Sequence, residues 1–207
     1  MKARKVKALD PDGPLGDQLE RIVRVRTAEL FAFMPRAGEP DEVAHLHDMR
    51  IAAKRLRYIL EIAEESFGPY AATASKRTKE LQDLLGEIHD CDVTLPRVLA
   101  LTGRARAEDV ETARTKAGAA KDLEPKLASG GPNAQAYRGL AALATYYRAR
   151  RELLFDRFLV FWEALQREGF RARLEYAAAE RPGGPEPSAD GNGRAGEPGL
   201  RSALSTP

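Results

Sequence analysis

Apolar residues recur along most of this chain at the spacing of one helix face. Leu19, Ile22, Val23, Leu30 and Phe33 form a first stripe, which predicts a helix over about 15–34. Arg26 falls inside that stripe, where a guanidinium snorkels, pairs or points into a shared site. Pro35 stops this helix, and Pro40 followed by Asp41 and Glu42 opens the next, predicted over about 41–67. Its apolar side holds Met49, Ala52, Leu56, Ile59 and Ala63, and Gly68-Pro69 ends it. Leu81, Leu84, Leu85 and Ile88 mark a third helix over about 70–92. Pro96 predicts a kink or restart, followed by a weakly striped helix, whole or broken, over about 106–128. SGGPN at 129–133 reads as a loop. A long last helix over about 134–168 carries Leu140, Tyr147, Leu154, Phe158, Trp162 and Leu165 on one line.

Composition agrees with the periodicity. Ala, Leu, Glu and Arg are abundant and β-branched residues sparse, so the expected fold is all-α, an antiparallel bundle of about five helices. The expected organisation is a flexible basic arm at 1–14, a helical bundle at 15–170 and a disordered Gly- and Pro-rich tail at 181–207. One cysteine, Cys91, allows no intrachain disulfide and suits a reducing compartment. The basic start leads into no apolar signal-like run, and no stretch is apolar enough to span a bilayer. These features give a cytoplasmic, soluble protein as the expectation.

Net charge is only +2, so an anion site has to come from local clustering. The second helix supplies it. His47, Arg50, Lys54 and Arg57 stand at i, i+3, i+7 and i+10, within roughly 80° of the circumference and opposite the apolar side. The third helix repeats the spacing with Lys79, Gln82, Gly86 and His89. In an antiparallel hairpin the order reverses, which brings His47 and His89 to the same end. Gly86 is a poor helix residue, and close approach of another helix or a ligand is a reason for it. On the last helix Arg151 sits in the apolar line, flanked by Arg148 and Arg150, and its charge must find an internal or external anion.

Arginine forks, a mobile lysine and imidazole donors suit a chain of phosphate oxygens. The plain alternative is a solvated charged face, although between Arg50 and Arg57 the row contains no acid. Catalysis finds little support, for no nucleophile sits at motif spacing beside a His and an acid, and no Gly-rich phosphate loop precedes a helix. No cofactor is implied. Metal sites built on His45, His47 and Asp48, or on His89, Asp90 and Asp92, are possible on paper only. His45 and His47 are two residues apart and point about 200° around the helix, so no metal is expected.

HDMRIAAKRLRYILEIAEESFG resembles the signature helix of the CHAD family, the conserved histidine α-helical domain. KELQDLLGEIHDCDV is similar to that family's second signature helix, and the last helix, with Arg148, Arg150, Arg151, Phe158 and Trp162, to its closing helix. The resemblance covers roughly 15–168. It implies a non-catalytic helical bundle that binds inorganic polyphosphate in a basic groove between two four-helix bundles. The family histidine falls on His47 and its basic positions on Arg50, Lys54, Arg55 and Arg57. The second motif's acid falls on Asp90 as an orienting acid, with His89 where a basic residue often stands. Lys79, Arg148 and Arg151 complete the expected polyphosphate-binding set. The chain is too short for two repeats, so it reads as one four-helix-bundle half, which a homodimer would complete. The alternatives are a histidine phosphotransfer domain with His47 as phosphoacceptor and a nucleic-acid backbone binder. The second lacks stacking aromatics near the row.

Overall fold

The computed structural model describes residues 2–180; the predicted disorder of 181–207 lies outside them. Those residues form six α-helices, where the pattern predicts about five, and no strand. Helix α1 is Leu15–Phe31, and a short 3-10 turn at Arg36–Gly38 leads to α2, Val43–Phe67. Gly68 alone separates α2 from α3, Pro69–Ala117. Its φ of 70° lies in the left-handed region that glycine adopts without a Cβ penalty, and Pro69 is preorganised for a first helical turn. One residue thus folds α2 and α3 into a tight antiparallel hairpin. Helix α4 is Pro125–Ser129, α5 Ala136–Arg167 and α6 Phe170–Glu180.

The core is where the stripes meet. Met49, Leu56 and Leu60 of α2, Leu81, Leu85 and Ile88 of α3, and Phe158, Trp162 and Leu165 of α5 are all buried. Helix α1 packs on α2, α5 on α3, and α6 closes the end against α1, α3, α2 and α5. The predicted bundle stops at 170, so α6 is an addition. Phe170, Leu174 and Ala178, spaced at i, i+4 and i+8, are buried and hold it.

Pro96 neither ends nor restarts the third helix. Helix α3 runs through it for 49 residues, and the separate helix predicted over 106–128 is partly its continuation. Proline removes one N–H and crowds the preceding turn, but Pro96 is exposed, so the carbonyl it leaves unpaired has access to water. At 1.5 Å per residue α3 is about 74 Å long and α2, with 25 residues, about 38 Å. Beyond α2 the rest of α3 has α5 as its main companion, and together they form a two-helix arm. A polar clasp closes the arm near its tip: Tyr137 Oη donates to Asp109 Oδ2 at 2.6 Å, and the Asn133 side chain donates to Asp109 Oδ1 at 3.0 Å. At the other end of the chain, Arg4 N donates to Glu29 Oε1 at 3.1 Å, Asp10 N donates to Gln18 Oε1 at 2.9 Å, and Arg21 donates to the Ala8 carbonyl. These bonds lay the N-terminal basic segment against α1.

Candidate functional site

The α2–α3 hairpin brings the two predicted rows face to face. The His47 and His89 rings lie 4.6 Å apart, centroid to centroid, tilted by 42°. One turn further along, a Cβ placed on Gly86 would sit 3.4 Å from Arg50 Nε. The expectation of close approach at Gly86 is met by that guanidinium. Because both helices rise equally per residue, the register set by these two pairs puts Lys54 level with Gln82 and Arg57 level with Lys79. From His47 to Arg57 the row is about 15 Å long.

Four polar atoms along this groove are buried without a hydrogen-bond partner: His47 Nδ1, Arg50 Nε, Arg57 Nε and Gln82 Oε1. Buried polar groups are ordinarily paired, and leaving one unpaired is costly. Arg57 Nε does lie 3.2 Å from Glu61 Oε1, an ion pair by distance that lacks the geometry of a hydrogen bond. Lys54 and Arg57 flank the exposed Tyr58 ring, at 5.7 and 4.7 Å from its centroid, which steadies both stems against the helix. Lys79, toward the hairpin turn, is exposed and pairs with Asp83 at 2.6 Å.

At the histidine end the electrostatics are opposed. Burial lowers the proton affinity of His89 most, and the nearby His47 and Arg50 lower it further; Asp90 and Asp92 work the other way. Asp90 is exposed and acts on His89 by its charge. Asp92 is the acid that holds a partner. It takes Arg151 Nε at 3.0 Å, and Arg151 Nη2 donates to the Pro40 carbonyl at 2.5 Å. Arg151 therefore meets an internal acid, one of the two outcomes its position left open. Its neighbour Arg150 bonds Glu87 at 2.6 Å, and Arg148 is exposed on α5.

Arg55 lies elsewhere. It projects from α2 toward α1, where Nη1 reaches Glu29 Oε1 at 3.2 Å. Glu29 is 2% exposed and also takes Arg26 Nη1 at 2.5 Å. Arg26 thus pairs, as one reading of its stripe position held. The structure collects His47, Arg50, Lys54, Arg57, Lys79 and His89 along one groove and leaves Arg55 on the opposite side of α2. Sequence reasoning passed over Glu29 and Tyr58 as site residues and weighed Asp92 only as a metal ligand. The signal for Glu29 was an acid three residues after a cation in an apolar stripe. Among the described residues no three His, Cys, Asp or Glu side chains are arranged to hold a metal ion, and no helix is long and apolar enough to cross a membrane.

Residues 2–99 match the family model of the CHAD domain. This segment, a little under half of the chain, is similar to the CHAD domain. No curated protein and no solved structure matches the chain. The CHAD segment contains both rows and the hairpin glycine, so the whole groove falls within it. Arg148 and Arg151, on α5, fall beyond it.

Proposed function

We propose that the α2–α3 groove binds inorganic polyphosphate, without turning it over. The observation that carries this reading is the line of buried polar atoms without a hydrogen bond at His47, Arg50, Arg57 and Gln82, along a row whose cations are Arg50, Lys54 and Arg57. An oxyanion chain offers acceptors to each N–H, and rotation of the Gln82 amide exchanges its acceptor for a donor. The match of residues 2–99 to the CHAD domain supports the same ligand. The binding set is His47, Arg50, Lys54, Arg57, Lys79 and His89, with Asp90 tuning His89. Arg151 borders the histidine end through Asp92, Arg148 is exposed on the same helix, and Arg55 lies outside the groove, tied to Glu29 of α1. The buried free thiol of Cys91 suits a reducing, cytoplasmic setting.

The test is a titration with long-chain polyphosphate at low and high salt. Affinity should fall steeply with salt, and Arg50, Lys54 and Arg57 changed together to Ala should weaken binding by about 100-fold or more while helicity persists. Unaltered binding by that triple variant overturns the site.

We further infer that two chains pair. The two-helix arm exposes Leu99, Leu143, Tyr146 and Leu153, and a second arm across a twofold axis would cover them. A monomer mass by light scattering, with and without polyphosphate, overturns this.

A further inference from the structure

His47 and His89 come from different helices and meet at 4.6 Å beside the half-buried Arg50, whose Nε is withdrawn from solvent. Their charged surroundings are set on every side. Helix α2 contributes Arg50, with Asp48 next to His47 in the chain and holding an interaction of its own. Helix α3 contributes Asp90 and Asp92. From α5, Arg151 occupies Asp92, so much of that carboxylate's charge is already answered. The Pro40 carbonyl, ahead of α2, takes the other side of Arg151. Helix α1 meets α2 on its far side, through Glu29 and Arg55. His47 Nδ1 is buried without a hydrogen bond.

His89 resists protonation, because burial, then the neighbouring imidazole and then the Arg50 guanidinium all disfavour a charge on it. An oxyanion over Arg50 reverses that balance. It places negative charge within reach of both rings and gives a new N–H an acceptor.

We propose that anion capture in this groove takes up a proton on the His47–His89 pair, so that occupancy and pH control one another. The inference rests on the polyanion reading above. The proton comes from solvent and bonds to a ring-nitrogen lone pair; no bond of the anion breaks. The sign follows from linkage. An occupied groove raises the proton affinity of the pair, so affinity for the anion rises as pH falls from the range where the occupied pair first protonates to the range where the empty pair does. Above that window both states are neutral, below it both are protonated, and the dependence flattens at each end.

Poly(vinyl sulfonate) is the probe, because its groups do not titrate near neutrality and any proton taken up belongs to the protein. Calorimetry in two buffers of different ionisation heat, at about pH 7, should give an uptake approaching one proton per site, with affinity several-fold higher at about pH 6 than at about pH 8. His47→Gln together with His89→Gln should abolish both effects, and His45→Gln, which removes the third histidine, should leave them. The wild-type chain supplies a second readout: the imidazole proton resonances of His47 and His89 should titrate at higher pH when the groove is saturated. Binding without proton uptake, with resonances that do not move, overturns the coupling and leaves the polyanion reading intact. Uptake that survives the double histidine variant also overturns it. Failure of both poly(vinyl sulfonate) and polyphosphate to bind at any pH overturns the polyanion reading itself, and the coupling with it.

Discussion

The two sides of α2 both carry arginine, and they end in opposite states. Toward α1, Arg55 and Arg26 converge on Glu29, a carboxylate withdrawn from solvent that also accepts the Arg4 backbone N–H. Toward α3, Arg50 and Arg57 face His89, Gly86, Gln82 and Lys79, and the Nε atoms of both arginines are buried without a hydrogen bond. The residue types are the same; the difference is one buried acid. With it, arginine becomes a structural tie between helices. Without it, arginine keeps unspent donors, and a groove made of such donors is poised for an external anion.

The contrast can be broken most severely at Glu29. Glu29→Gln leaves two guanidinium groups without their carboxylate, and the chain should lose about 3 kcal/mol of unfolding free energy in urea. Polyanion affinity in the variant that remains folded should stay within about twofold, since the groove lies across α2. An unchanged urea midpoint would show that the α1 side is not held by this charge cluster. The triple change at Arg50, Lys54 and Arg57 is the mirror experiment. It should remove binding and leave the urea midpoint unchanged or slightly raised, because like charges one turn apart are relieved. Gly86→Ala sharpens the comparison with the smallest effect. The new methyl would touch Arg50 Nε at ordinary contact distance, so the helix should gain somewhat under 1 kcal/mol. Affinity should drop by a few-fold as the guanidinium is crowded. Tighter binding by this variant would mean that Arg50 does not need the space over Gly86.

The groove was more legible in the sequence than its surroundings. Two rows at identical spacing on consecutive helices, joined by Gly68-Pro69, fix an antiparallel register almost by themselves, and the approach of His47 to His89 follows. The fate of Arg55 was not legible. Its partner is 26 residues earlier on another helix, and helix periodicity within one segment carries no information about which face meets α1. Arg151 stood between an internal and an external anion for the same reason, until the packing of α3 on α5 set Asp92 beside it. The restart expected at Pro96 did not follow, because a proline's cost depends on what surrounds its missing hydrogen bond, and an exposed position in a helix anchored by a long packed segment tolerates it. Helix α6 was missed because an arginine- and alanine-rich stretch shows little apolar contrast, although Phe170, Leu174 and Ala178 do share one face.

The length of α3 has a mechanical consequence. The same helix lines the groove at Gly86 and ends at Ala117, 31 residues on, about 46 Å away. As a stiff lever pivoting at the groove, it turns a tilt of about 5° into a displacement of about 4 Å at its far tip. A distance label on the exposed Lys116 would thus register a small adjustment at the groove with built-in gain.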